Sequence, residues 1–422
     1  MANSVIAARP TFNLLKPDKA DCLFIIALSL LFTETFSGAL RYYLDQAGLA
    51  ALLYLPKAAC LSAALLELFY FRASRTVWVV LFFLPLSAAL ALVHGATIEN
   101  LIFALFIYAP FLFGLLCGSY LAQRSKWFGW IVAGYFLASL AGIGLDLLTT
   151  VPWKGYSYSV GGNELSANKA WSADGTDRLA GFSRMSTSLA MMIALYALYL
   201  NAVLRSTLLR IILFVAAFGG IFLSTNKSIA LAYLITFAFL CIRPLKLISA
   251  AGCLCIIGIG MSLPVISQYL NLDGYLAYTT SSTASFYDRL INTWPNFIKV
   301  MSSEGFLETG AGIGAVGSSG AGFPIAGLEI FGVADNTVLY LWGTFGLLGF
   351  VLWSLLLPLL MRLSQAKNRF DVSLYGTTLC ICLVAWTTDI PEVVCASLFL
   401  GIAVSRVLTA NPAHDRMDLN PI

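Results

Sequence analysis

Long apolar runs alternate with short polar breaks along the whole chain. Runs of 18 or more apolar residues recur from end to end, and each is long enough to cross a ~30 Å hydrocarbon core. No water is present at that depth, so such runs must be helices that satisfy their own backbone groups. Twelve spans are expected, over roughly 20–40, 48–71, 76–94, 100–121, 127–149, 181–204, 209–225, 228–243, 247–269, 335–361, 371–389 and 392–409. The expected fold is all-α, a single integral membrane domain over 1–422. Composition agrees, with 59% hydrophobic residues, 11% charged residues and a mean hydropathy of +0.84.

Charge sets the orientation, because Lys and Arg of short loops are retained on the cytoplasmic side. With the N-terminus inside, 16 of the 25 basic residues fall in inside loops: Arg9, Lys16, Lys19, Arg72, Arg75, Arg124, Lys126, Arg205, Arg210, Arg243, Lys246, Arg362, Lys367, Arg369, Arg406 and Arg416. Twelve spans return the C-terminus to the cytoplasm, and the first span, lacking a small-residue cleavage site, reads as an uncleaved anchor. The nine cysteines all fall within spans and read as small apolar fillers. No internal repeat is visible, nor an inverted pair of broken helices.

Nine basic residues break the pattern: Arg41, Lys57, Lys154, Lys169, Arg178, Arg184, Lys227, Arg289 and Lys299. Six of them belong to two long external segments, near 150–180 and 270–334, or to their edges. Lys154, Lys169 and Lys299 suit lipid headgroups. Arg178, Arg184, Lys227 and Arg289 share one expected depth on one side and suit an anionic group at the membrane surface. Arginine's planar fork matches phosphate in particular.

The second segment contains "ETGAGIGAVGSSGAGF", residues 308–323. It lacks the Gly-Lys-Ser/Thr of a phosphate loop and the preceding strand of a dinucleotide fingerprint. It reads as a close-packed re-entrant loop whose glycines take positive φ. The two histidines, His94 and His414, have no ligand neighbours, so no metal site and no cofactor are expected. Asp174 and Asp177 read as a solvated turn, with a cation as the alternative. Glu34, Lys57, Glu67 and Asp146 are membrane-embedded and should face the bundle interior; Glu34 and Lys57 could pair. At "GVADNTVLYLWGTFGLLGF", residues 332–350, Asp335 and Asn336 open an apolar helix. Asp335 there is either a helix N-cap or a group that meets substrate.

The last stretch resembles the O-antigen ligases, which carry a His-[Asn/Ser/Gln] pair and, nine residues later, Gly-x-x-[Gly/Thr/Tyr]. Here Asp335-Asn336 precedes Gly346-Leu347-Leu348-Gly349 at that spacing, with aspartate in place of histidine. "YDRLINTWPNFIKVMSSEGFLETGAGIGAVG" resembles the family's Arg and Trp ahead of a glycine-rich loop, "DRLAGFSRMSTSLAMM" its R-x-x-G approach to the sixth span, and "LSTNKSIALAYL" its S-x-[Thr/Asn]-[Arg/Lys] turn. The likeness covers about 175–360; the first five spans match only in number and hydropathy.

That resemblance implies a GT-C-like glycosyltransferase of the bacterial inner membrane, with its active site facing the periplasm. The missing histidine favours the polymerase branch, O-antigen or exopolysaccharide polymerases of the Wzy type, over the ligases. Donor and acceptor would be undecaprenyl-diphosphate-linked glycans, joined without metal or cofactor during lipopolysaccharide or related polysaccharide biosynthesis. Asp335, Arg289 and Arg184 are the implied catalytic residues; Arg178, Lys227, Asn336, Trp294 and Tyr340 are the implied substrate contacts. Expected partners are the bilayer and a chain-length regulator and flippase of the same pathway, with no nucleic acid. The alternatives are an O-antigen ligase, a protein O-glycosyltransferase and a lipid-linked oligosaccharide flippase. A flippase should line a central path with charge in both membrane halves, whereas here the unusual cations gather at one face.

Overall fold

The computed structural model describes residues 18–70, 75–160, 163–166, 168, 172–173, 176–270 and 281–409. Lys169, Asp174 and His414, singled out above, lie outside them. So do Arg9, Lys16, Arg72 and Arg416. Helix dominates the described chain. α1 (Lys19–Thr35) opens on a reciprocal cap in which Asp18 and Asp21 each accept the other's backbone N–H. It then bends by 87° at Phe36 into α2 (Ser37–Gln46), so the run expected as one span leaves its axis there.

α3 (Leu55–Tyr70), α4 (Arg75–Val93), α5 (Ile98–Gln123) and α6 (Ser125–Leu148) follow. The first long connection holds two antiparallel hairpins, Ser157–Val160 with Asn163–Ser166 and Ser172–Ala173 with Thr176–Asp177. These small sheets are the departure from an all-α chain. Four more helices, α7 (Ser186–Val203), α8 (Thr207–Leu223), α9 (Lys227–Ile242) and α10 (Lys246–Ser267), precede the second long connection. That connection contains α11 (Ser281–Asp288), a π-turn over Arg289–Thr293, α12 (Trp294–Ser303) and the single turn α13 (Ser318–Gly322). The run expected as one span over 335–361 is three pieces, α14 (Thr337–Phe345), α15 (Leu347–Ser354) and α16 (Leu356–Ser364). α17 (Arg369–Val384) and α18 (Val394–Thr409) close the fold.

Among the described residues, six helical stretches are long and apolar enough to cross a bilayer, seven with the bent α1–α2 pair, and four shorter apolar helices of 10–17 residues accompany them. Their outward faces expose Ile102, Trp130, Leu137, Leu208, Val215 and Leu254, an apolar girdle that water would not tolerate. α7 runs through the centre, with every residue from Leu189 to Tyr199 buried. A helix apolar all round belongs inside a bundle. α5 and α18 lie in close contact because Gly114, Gly118 and Gly401 let the backbones meet; a Cβ on any of them would strike the opposite helix. A second, smaller core gathers Trp294, Phe297, Met301, Phe331 and Tyr340 around the glycine-rich loop.

The two ends of the bundle differ. At one end, Arg124 Nε is 2.8 Å from Asp21 and Nη2 2.9 Å from Asp18, Lys19 pairs with Glu67, and Arg406 bonds Asp371 at 2.9 Å. The embedded Glu67 is thus a structural partner. At the other end α14 starts, α17 hands over to α18, and the bend of α1 meets the start of α7.

Candidate functional site

Two distant segments are sewn together at that second end. Asn336 caps α14: its Oδ1 accepts Leu339 N–H at 2.9 Å, and its Nδ2 donates to the Trp386 carbonyl at 2.9 Å. Thr337 Oγ1 donates to the Thr388 carbonyl at 2.6 Å and accepts Ile390 N–H at 3.0 Å. The half-buried carboxyl group of Asp389 accepts Asp335 N–H at 3.1 Å and Asn336 N–H at 3.0 Å. The helix cap is therefore Asn336 and not Asp335, which corrects the simpler of the two roles read from sequence. One residue further out, Asp335 falls beyond reach of the helix's free N–H groups.

Instead Asp335 takes a left-handed backbone, φ +50°, a conformation costing a non-glycine residue about 1 kcal/mol or more. Its Oδ2 accepts a hydrogen bond from Arg289 Nε at 3.0 Å, and both side chains keep partial exposure, 37% and 21%. Arg289 is the first residue of the π-turn, a distortion frequent at functional positions. The two expected catalytic residues thus meet, 46 residues apart in sequence. Neither terminal guanidinium nitrogen of Arg289 bonds another described residue.

Glu392 lies next to this pair. Its two carboxylate oxygens accept the N–H and hydroxyl of Ser318, so it latches the end of the glycine loop. Burial raises its pKa, against the pull of Ser318. For Asp389, burial first and then the charges of Glu392 and Asp335 push the carboxyl up to about 8. The glycine loop itself packs inside protein. Gly310, Gly312, Gly314 and Gly317 all have positive φ. Ile313 N–H reaches Ser87, His94 Nδ1 lies 3.1 Å from the Ala311 carbonyl, and Asn100 Nδ2 faces the carbonyls of Gly314, Ser319 and Phe323. At Gly346 a Cβ would overlap the Glu308 carbonyl, which bonds Leu347 N–H at 3.0 Å. This glycine breaks the helix so that the loop can dock.

Arg184 lies just ahead of α7, against the bend after α1. Its backbone N–H donates to Ser37 Oγ at 2.9 Å. Burial, then the charge of Arg41, lowers its pKa. Lys57 lies within electrostatic reach of Glu34, Arg41, Glu392 and Arg184, though Glu34 and Lys57 form no ion pair among those within 4.0 Å. The remaining expected residues are placed apart. Lys227 is exposed at the start of α9, where Asn226 accepts a bond from Thr187 at 3.1 Å. Arg178 has a buried Nε with no described hydrogen-bond partner. Trp294 is fully buried in the smaller core, and Tyr340 is 2% exposed beside Tyr108 and Glu392; both are packing side chains in this arrangement. Lys154 bridges Asp146 at 3.4 Å and Asp177 at 3.1 Å, while Asp146 Oδ2 accepts the N–H groups of Ala180 and Gly181. Their role is to tie down the first connection.

Sequence reading passed over Asp389 and Glu392. The signal was present, since "TTDIPE" (387–392) puts two acids in the short break between two apolar runs. Among the described residues, no group of three or more His, Cys, Asp or Glu is arranged to hold a metal ion. Neither a family model nor a curated protein matches the chain.

Proposed function

We propose that the chain is a polysaccharide polymerase that joins lipid-linked oligosaccharide repeat units on the periplasmic side of the bacterial inner membrane. In this reading the bundle crosses the bilayer twelve times, both termini are cytoplasmic, and the end carrying Arg289 and Asp335 faces outward. The observation that carries it is the Arg289–Asp335 pair, a half-exposed acid in a strained backbone bonded to an arginine whose two terminal nitrogens bond no other described residue.

The chemistry asks little more. An acceptor sugar hydroxyl attacks the anomeric carbon of the donor glycan, and the bond from that carbon to the diphosphate breaks. The diphosphate leaves with the bonding electrons, and the hydroxyl proton passes to the Asp335 carboxylate. Diphosphate is already a good leaving group, so the protein mainly holds its charge and aligns the nucleophile. Arg289 does the first through its terminal nitrogens while its Nε fixes Asp335. Arg184 supplies further positive charge.

Deleting the gene and separating lipopolysaccharide or capsule on a gel tests the reading. Single repeat units remaining attached to the lipopolysaccharide core support the polymerase. A complete loss of attached units would replace it with the ligase, and unchanged polymer would reject both.

A further inference from the structure

Contacts along α7 fix what lies at the Arg124 end of the bundle. Tyr199, near the close of α7, donates to the Ser125 carbonyl at 3.3 Å, while Thr187, in its first turn, donates to Asn226 at the start of α9. α9 therefore runs back to the Arg124 end, and Arg243 terminates it there. α10 starts three residues later at Lys246, and its first turn is tied to α17 by Ser249 and Tyr375, whose hydroxyls lie 3.0 Å apart. α16, packed against α10, closes at the same end with Arg362 in its last turn. The next helix, α17, opens there on Arg369, which bonds the Val203 carbonyl at the end of α7 at 2.7 Å.

Several cations at this end already have protein partners. Arg124, Lys19 and Arg406 hold carboxylates, Arg210 gives two hydrogen bonds to the Leu204 carbonyl at 2.6 and 2.9 Å, and Arg369 has Val203. Arg243 differs. It is half-buried, its guanidinium bonds no described residue, and Nη1 is closed off from water without an acceptor. Retention of Lys and Arg on one side of a membrane accounts for exposed cations, but not for a half-buried one left unpaired, which is costly. Neighbouring elements offer no acid to satisfy it. α8, α9, α10, α14, α15 and α16 contain no Asp or Glu, and Asp371 in the first turn of α17 already accepts from Arg406 and Asn368. Around Arg243 the turn exposes Leu245, Leu247 and Ile248 together with Lys246.

We propose that the α9–α10 turn, with Arg243 at its centre, Lys246 in the same turn and Arg362 at the end of α16, binds the phosphate of an anionic phospholipid in the leaflet at this end. The Arg243 side chain turns outward so that its fork meets two phosphate oxygens. The acyl chains lie along Leu245, Leu247 and Ile248. Basic pockets between membrane helices take such headgroups. Charge decides the occupant, because a zwitterionic headgroup brings its own cation into a corner that already holds three. No transfer reaction enters, so the site stands whether or not the chain polymerises glycans.

Native mass spectrometry of the full chain in neutral detergent tests this, with phosphatidylglycerol titrated in parallel with phosphatidylcholine of the same acyl chains. The parent should retain phosphatidylglycerol with a Kd about tenfold or more below that of phosphatidylcholine, the worth of one charge-assisted hydrogen bond. Arg243→Gln should remove that preference, and Arg243→Lys should keep part of it, since the charge stays while the fork is lost. Folding is read separately. Without added lipid, the Gln variant should unfold at the parent's temperature or above it, because it no longer holds an unpaired charge. Lys126→Gln, which removes an exposed cation at the start of α6, should leave the preference intact.

Equal retention of the two lipids would overturn the proposal, as would a full preference in Arg243→Gln. An equal loss in Lys126→Gln would also overturn it, by spreading the effect over diffuse charge. Displacement of phosphatidylglycerol by inorganic phosphate would reject the lipid in favour of a free anion.

Discussion

In the proposed reaction Asp335 carries the greatest chemical weight of any single residue. Its left-handed backbone is one that Asn also tolerates, and the helix cap belongs to Asn336. Asp335→Asn should therefore leave the unfolding temperature within a few degrees of the parent. If the carboxylate accepts the hydroxyl proton, polymer synthesis at matched expression should fall about 10²–10⁴-fold, the usual worth of general base assistance. A fully active Asn variant would return Asp335 to structure. Arg289→Lys should rescue Arg289→Ala poorly, because an ammonium cannot bond Asp335 and span a diphosphate at once. The half-exposed pair itself adds little stability, since solvent screens it, so losses at Arg289 should appear in activity and not in folding.

At the level of elements, the break at Gly346 and the crossing between α17 and α18 shape the site. Gly346→Ala would place a Cβ on the Glu308 carbonyl and force a left-handed alanine. We expect a loss of about 2 kcal/mol or more, read as a lower unfolding temperature in detergent. In the crossing, Asp389 binds its proton more tightly folded than unfolded, since burial and the neighbouring acids raise its pKa. A raised pKa favours folding at low pH. That contribution is complete below the ordinary carboxylate range and is lost as the pH rises through about 8. Unfolding temperature should fall between pH 5 and pH 8, and Asp389→Asn should flatten the slope. An unchanged slope in the Asn variant would assign it to another group. Glu392, also raised, acts with the same sign.

Across the whole molecule, the two ends divide the labour. The end holding Arg124 is structural: a guanidinium only 3% exposed meets the carboxylate of Asp21, 2% exposed, and that of Asp18. Arg124→Ala leaves a buried carboxylate unpaired and should cost about 3–5 kcal/mol. Yield should drop while the activity of each surviving molecule is kept. In the proposed reaction the charges at the opposite end serve substrate. Activity there should survive chelation, because in that reading arginines hold the diphosphate. A purified enzyme silenced by EDTA and restored by magnesium would reverse this and direct attention to Asp174 and Asp177.

Much of this was legible in the chain alone. Helices follow from apolar runs, because a backbone without water has no other local way to satisfy itself. That Arg289 and Asp335 stand out was visible, because each is a charge at the edge of an apolar run in a chain with few charges. The glycine loop's positive φ values were legible too, as only glycine takes them freely. Pairings across long separations were not. Arg289 meeting Asp335, Asp389 holding the Asp335 turn, and Ser37 bonding the Arg184 backbone join segments with no local signal for one another. Nor could sequence say which of two adjacent residues, Asp335 or Asn336, caps α14, since both are good caps. That choice was made by Asp389, whose half-buried carboxyl group takes both N–H groups and so fixes where the helix begins.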